Sequence, residues 1–119
     1  MKKKNKKIII LGLVLVAVVV SVNAIIQSSN TPGELDSFAT CLTENEVKMF
    51  GTDWCQFCQQ QKKMFGKSFK QVDYINCDTE SEECYANGIR SYPTWKVDGE
   101  SYSGVQQLNR LSDLTGCAL

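Results

Sequence analysis

The sequence predicts an α/β domain with a mixed central sheet and helices on both faces, preceded by an N-terminal transmembrane or signal helix. Three observations point there. A strand–helix–strand order over residues 47–77 implies parallel strands joined by a right-handed crossover. Asp98-Gly99 between two short runs marks a hairpin, which adds antiparallel strands. Residues 8–26 form an apolar run broken only by Gly12, Ser21 and Asn23.

That run comes first in the chain. At the helical rise it reaches roughly 29 Å, close to the hydrocarbon thickness of a bilayer. Lys2, Lys3, Lys4, Lys6 and Lys7 precede it. A basic flank of this kind holds the N-terminus in the cytoplasm and sends the rest of the chain across. Residues 1–26 therefore read as a membrane anchor, with a cleaved signal peptide as the alternative; Val22-Asn23-Ala24 could serve as the cleavage site. A buried core helix is disfavoured, because so small a domain could not cover a helix that is apolar all round.

Residues 27–33, "QSSNTPG", read as a linker, and residues 34–119 as the domain. Leu35, Phe38, Ala39 and Leu42 have helical spacing. Residues 47–51, "VKMFG", suit a short strand. A helix from about Cys55 to Phe65 comes after it, with Thr52 or Asp53 available to cap it and Gly66 to stop it. Residues 71–77 alternate Val72, Tyr74 and Asn76 against Asp73, Ile75 and Cys77, as a strand does. Residues 79–88 suit a short helix capped by Thr79 or Ser81 and ended by Gly88. Strands around Asp98-Gly99 come next. The last helix spans 105–116, with Val105, Leu108, Leu111 and Leu114 on one face and Gly116 as its end.

The formal net charge of zero conceals an asymmetry. Beyond the five N-terminal lysines the chain carries 8 basic and 13 acidic residues, which argues against a nucleic-acid surface. There is no histidine, so imidazole takes part in no catalytic or metal-binding scheme. Six cysteines in a short exported chain suggest disulfides before metal. No Asn-X-Ser/Thr acceptor occurs.

The chemistry concentrates in "GTDWCQFCQQQKKMF", residues 51–65. A strand delivers the chain to Trp54, and Cys55 falls in the first turn of the next helix, where N–H groups and the helix dipole favour a thiolate. Cys58 lies about one turn deeper on the same face. That arrangement gives an exposed attacking thiolate and a protected resolving thiol, and thiol–disulfide exchange needs both. A purely structural staple gains little from closing so short a loop. Cys55 and Cys58 are therefore the candidate catalytic residues.

Trp54-Cys55-Gln56-Phe57-Cys58 followed by Tyr92-Pro93-Thr94 before a hairpin resembles the thioredoxin superfamily. The longer stretches "KMFGTDWCQFCQQQKKMFG", "INCD" and "GIRSYPTWKVDGESYSGVQQL" are closest to the thioredoxin-like domain associated with bacterial and plastid vitamin K epoxide reductase homologues, over roughly residues 35–116. The resemblance implies a thioredoxin-like fold, with Cys55 as nucleophile, Cys58 as resolving cysteine and a cis Tyr92–Pro93 bond beside the pair. It also implies that Trp54, Phe57, Tyr92, Pro93 and Trp95 line a groove for unfolded polypeptide; plain core packing is the alternative for each aromatic. Many thioredoxins bury an acid in the strand before the motif, and Met49 occupies that place. With neither acid nor histidine, proton transfer at Cys58 must use water or another group.

The family often carries a second cysteine pair in the region of Cys77 and Cys84, at somewhat wider spacing. A Cys77–Cys84 disulfide would pin helix to strand, and a second redox relay is the other reading. Cys41 and Cys117 flank the domain, on helices expected on opposite sheet faces, and their pairing stays open.

The leading expectation is a membrane-tethered thiol–disulfide oxidoreductase acting on exported proteins. Its catalytic domain would lie on the exported side, in a bacterial periplasm or thylakoid lumen, or be secreted if the signal is cleaved. No cofactor motif is present, and a quinone would act only through a partner, a vitamin K epoxide reductase-like membrane protein. Two rivals are a binding module holding Zn through Cys55, Cys58, Cys77 and Cys84, whose spacing misses paired zinc knuckles, and an inert disulfide-stapled adaptor.

Overall fold

The structure, a computed structural model, describes residues 2–29 and 32–119. Two compact units divide near residue 31. The first is a helix, α1 (Lys2–Ser29). Its span Lys2–Ala24 has mean hydropathy 2.5 and is long and apolar enough to cross a membrane, as an anchor or a signal would be. The candidate cleavage site lies inside this helix. The first three residues of the expected linker, 27–29, are helical too, whereas Asn30 and Thr31 lie outside the described residues.

The second unit holds α2 (Asp36–Glu44), β1 (Lys48–Gly51), α3 (Gln56–Phe65), β2 (Asp73–Asn76), α4 (Ser81–Ala86), β3 (Thr94–Val97), β4 (Glu100–Ser103) and α5 (Leu108–Thr115). The strands form one sheet in the order β2-β1-β3-β4. β1 and β2 are parallel, and the pairs β1–β3 and β3–β4 are antiparallel. This mixed sheet with helices on both faces is the expected thioredoxin-like fold. The β3–β4 turn has Asp98 at φ 50° and Gly99 at φ 81°. Positive φ at both central residues is the two-residue turn whose twist matches a hairpin.

Successive strand residues face opposite ways, and this splits the core in two. Met49, paired with Tyr74 on one side and Trp95 on the other, faces a cluster containing Phe38, Leu42, Cys58, Phe65 and Leu111 from α2, α3 and α5. Phe50, paired with Ile75, faces a smaller cluster with Cys77 and Cys84. Thus α2 and α5 share a face, contrary to the expected opposite placement. Cys41 and Cys117 are joined in a disulfide on that side. Strict alternation of helices across the sheet fails because α2 packs on α3: Phe38 stacks on Phe65 with ring centroids 6.0 Å apart.

Between α3 and β2 runs a 3₁₀ segment, Gly66–Gln71, where the sequence suggests only a stop. Gly66 does end α3, at φ 56°. Phe69 then folds back edge-on to both Phe65 and Tyr74, which holds the tighter turn in place. Ser68 Oγ in this segment accepts the Leu35 N–H at 2.9 Å, tying the start of the domain to it. α5 starts at Leu108, three residues later than expected, because Gln107 is extended.

Candidate active site

β1 ends at Gly51, and residues 52–55 turn the chain into α3. The expected caps, Thr52 and Asp53, do not cap the helix. Cys55 is itself the N-cap: its backbone is extended and its sulfur accepts the Cys58 N–H at 3.1 Å. This is the geometry in which a capping side chain satisfies an otherwise unpaired helix-start donor. The Cys55 sulfur is thus held against the helix start by the backbone of Cys58. For α4, likewise, Glu80 takes the N-cap position in place of Thr79 or Ser81 and makes no side-chain cap.

Cys55 and Cys58 are the free cysteines among the described residues. Both are buried, Cys55 at 7% exposure and Cys58 at 0%. The expectation of an exposed Cys55 is not met, because its sulfur turns onto the helix start; Cys58 is protected as expected. Burial pushes the Cys58 thiol up to about 12, assisted by the Cys55 sulfur beside it; the Thr52 backbone N–H and the Lys62 ammonium act the other way. Tyr74 is also raised, first by burial and then by the carboxylate of Asp53.

The aromatic residues singled out in the sequence divide. Trp54 and Phe57 are 71% and 64% exposed and flank the pair on the surface. Tyr92 is partly buried and meets Trp54 edge-on at 6.1 Å, and Trp54 Nε1 donates to Asp78 Oδ1 at 3.2 Å. The Tyr92–Pro93 bond is cis, and the Pro93 side chain is buried. Trp95 corrects the expectation that it lines a groove. It is fully buried, 5.9 Å from the Phe65 ring, and its Nε1 donates to Gln61 Oε1 at 3.0 Å. An indole buried with its N–H paired is a core residue. A cavity of about 460 Å³ lies at the far end of α3 against Lys63–Lys67 and does not include the cysteines.

Cys77 and Cys84 are joined in a disulfide that pins α4 to the end of β2. Two of the four thiolates that the zinc-module reading requires are therefore bonded to each other. They lie with Phe50, across the sheet from Cys58.

Gln61 and Tyr74 are site neighbours that sequence reasoning misses. Gln61 is fully buried on α3; besides holding Trp95 it accepts the Gln106 N–H at 2.7 Å and donates to the Gln106 carbonyl at 3.0 Å. Gln61 falls one turn after Cys58 on the same helical face, a position where a polar residue is a signal worth reading. Tyr74 is visible in the chain only as one residue of an alternating strand. In the fold its ring lies under the Lys62 ammonium, 4.0 Å from the centroid.

No family model matches the chain. It is 31% identical over 103 residues to the thiol-disulfide oxidoreductase LTO1 of Arabidopsis thaliana, a match covering 79% of this chain and 27% of that protein. The chain thus spans about a quarter of the length of that relative. Among solved structures it is similar to a thioredoxin of Fasciola hepatica, with 19% identity, TM-score 0.44 and coverage of 65% of this chain and 88% of the other. A mutant thioredoxin from Halobacterium salinarum aligns with 26% identity and TM-score 0.45, over 72% of this chain and 85% of that one.

Proposed function

We propose that this chain is a thioredoxin-superfamily protein working as a membrane-tethered thiol–disulfide oxidoreductase on exported proteins. The observation that carries the reading is the free pair at the start of α3: Cys55 at the N-cap with its sulfur bonded to the Cys58 N–H, and Cys58 wholly buried one turn in. The resemblance of its motifs and the activity for which the Arabidopsis relative is named support it.

In the oxidising direction, a client thiolate attacks Cys55 Sγ of the Cys55–Cys58 disulfide. The client–Cys55 bond forms, the Cys55–Cys58 bond breaks, and Cys58 leaves as a thiolate. A second client thiolate then attacks the client sulfur of the mixed disulfide and expels Cys55. The client loses two electrons and two protons, and the pair gains them. Trp54 and Phe57 on the surface offer apolar contact to an unfolded client, with the edge of Tyr92 beside them.

The pair must then be restored. We assign that step to a quinone-reducing membrane protein of the vitamin K epoxide reductase class, which takes up the two electrons and two protons and forms quinol. Sharing a bilayer through residues 8–26 raises the effective concentration of the two proteins without any new contact. The domain then faces the exported side, a bacterial periplasm or thylakoid lumen.

The test is trapping. Cys58→Ser in the full-length protein is expected to accumulate mixed disulfides between Cys55 and client proteins, and Cys55→Ser is not. Accumulation through Cys58 alone reverses the two roles, and none with either variant removes the reading. Reconstitution with a candidate partner and quinone tests the second half: reoxidation no faster than with dissolved oxygen excludes that partner.

A further inference from the structure

When the Cys55–Cys58 disulfide opens, negative charge appears on a sulfur that water does not reach. β1 offers it Met49, which neither carries charge nor donates a proton. The residue beside Met49 in register is Tyr74, on the same face of β2. Its hydroxyl is buried and has no hydrogen-bond partner among the described residues. A Cβ added at Gly51 would stand 2.8 Å from Cys58 Sγ and 3.2 and 3.4 Å from Tyr74 Cε2 and Oη. The thiol and the phenol therefore border the same small space, which glycine leaves open.

We propose that the Tyr74 hydroxyl, beside the Thr52 N–H, donates a hydrogen bond to Cys58 Sγ as that sulfur departs from the disulfide, in place of the acid that Met49 displaces. The proposal rests on the exchange reading. In the step concerned, the bond that forms joins the client sulfur to Cys55 Sγ, and the one that breaks joins Cys55 to Cys58. The electron pair leaves on Cys58 Sγ, where the phenol O–H meets it, and the proton that finally neutralises the thiolate comes from solvent.

The charged surroundings make the phenol a donor and not a base. Burial and then the carboxylates of Asp53 and Asp78, with the sulfurs of Cys58 and Cys55, all oppose its ionisation. Lys62 on α3 supplies the local positive charge over the ring. It is held there by Asp53 Oδ1 at 3.4 Å, and Asp53 Oδ2 in turn accepts from Asn76 Nδ2 at 2.9 Å. An unpaired buried hydroxyl is costly in a resting protein. Bordering the space where charge develops, it is a donor that becomes paired when the sulfur departs.

Tyr74→Phe keeps the ring between Lys62 and Phe69 and removes only the hydroxyl. The probe is dithiothreitol acting on the oxidised full-length protein, with Cys55–Cys58 followed by differential alkylation and mass mapping so that Cys77–Cys84 and Cys41–Cys117 are read apart. A lost hydrogen bond to a charged group predicts opening slower by about tenfold or more at neutral pH. Closing should slow equally, leaving the equilibrium constant with dithiothreitol within about twofold. Iodoacetamide should alkylate Cys55 of the reduced variant at the wild-type rate, since that reaction puts no charge on Cys58. An unchanged opening rate, or a slowing matched by slower Cys55 alkylation, overturns the proposal. Should Tyr74→Phe fail to fold, 3-fluorotyrosine at position 74 retains the ring and sharpens the donor. Opening must then be faster than in the unmodified protein, and an unchanged rate overturns the proposal. A wild-type pair that dithiothreitol never opens removes both this inference and the exchange reading; a responsive wild type with an indifferent variant removes this one alone.

Discussion

Gln61 shows how much one side chain can hold. Its amide bridges the Trp95 indole in the core to both backbone groups of Gln106 on the way into α5. Gln61→Met keeps the volume but leaves the buried Trp95 N–H and the part-buried Gln106 N–H without their partner. At about 1–3 kcal/mol for each donor left unpaired, the loss should be about 2–6 kcal/mol in urea unfolding, toward the lower end because Gln106 is only part-buried. Cys58 sets a pH dependence whose sign follows from its burial. Its thiol is raised from 9.0 to about 12 in the folded, reduced protein. The stability it lends is therefore whole below about pH 9 and is lost as pH rises toward about 12. The urea midpoint of reduced protein should fall more steeply above about pH 9 than that of Cys58→Ala, which keeps the similarly shifted Tyr74. Tyr74 is not readable as a candidate-site residue from the chain, and Gln61 only through its polar character one turn after Cys58, because each acquires its role from partners more than ten residues away. Cys55 and Cys58 are, since their relation is local: three residues, one turn, one helix start.

Among the elements, the same division between local and distant causes holds. The β3–β4 hairpin is legible because Asp98-Gly99 determines its own turn. Gly99→Ala places a Cβ at φ 81° and should cost about 1 kcal/mol, measurable by thermal unfolding, while leaving trapping at Cys55 unaltered. The alternation in residues 72–77 is legible as well, and its two faces do go to two separate clusters. What the chain conceals is the N-cap at Cys55, the 3₁₀ segment and the shared face of α2 and α5. Each of the last two depends on packing: Phe69 on Phe65 and Tyr74, and Phe38 on Phe65. Trp95 escapes a sequence reading for the same reason, since a tryptophan after the proline looks alike in sequence whether it faces a client or the core.

For the molecule as a whole, the two structural disulfides differ in what they constrain. Cys77–Cys84 closes a separation of 7 residues and Cys41–Cys117 one of 76. On the chain-entropy account these correspond to about 2 and about 4 kcal/mol. Cys41→Ser/Cys117→Ser should therefore lower the urea midpoint more than Cys77→Ser/Cys84→Ser. If α1 stays in place as an anchor, the full-length protein should remain with the membranes in alkaline carbonate, and its intact mass should include residues 8–26. The Cys41–Cys117 bond also decides how the domain answers a mechanical load. Pulling Pro32 away from Leu119 stretches the chain only up to Cys41 and again beyond Cys117, because tension crosses directly between the two sulfurs. The sheet, the exchange pair and α3 lie outside that line of force. Under a stretching probe the oxidised domain should lengthen only by its two short end segments, and the intervening chain, less the short loops that the remaining disulfides close, should be released only after a reductant cuts that one bond.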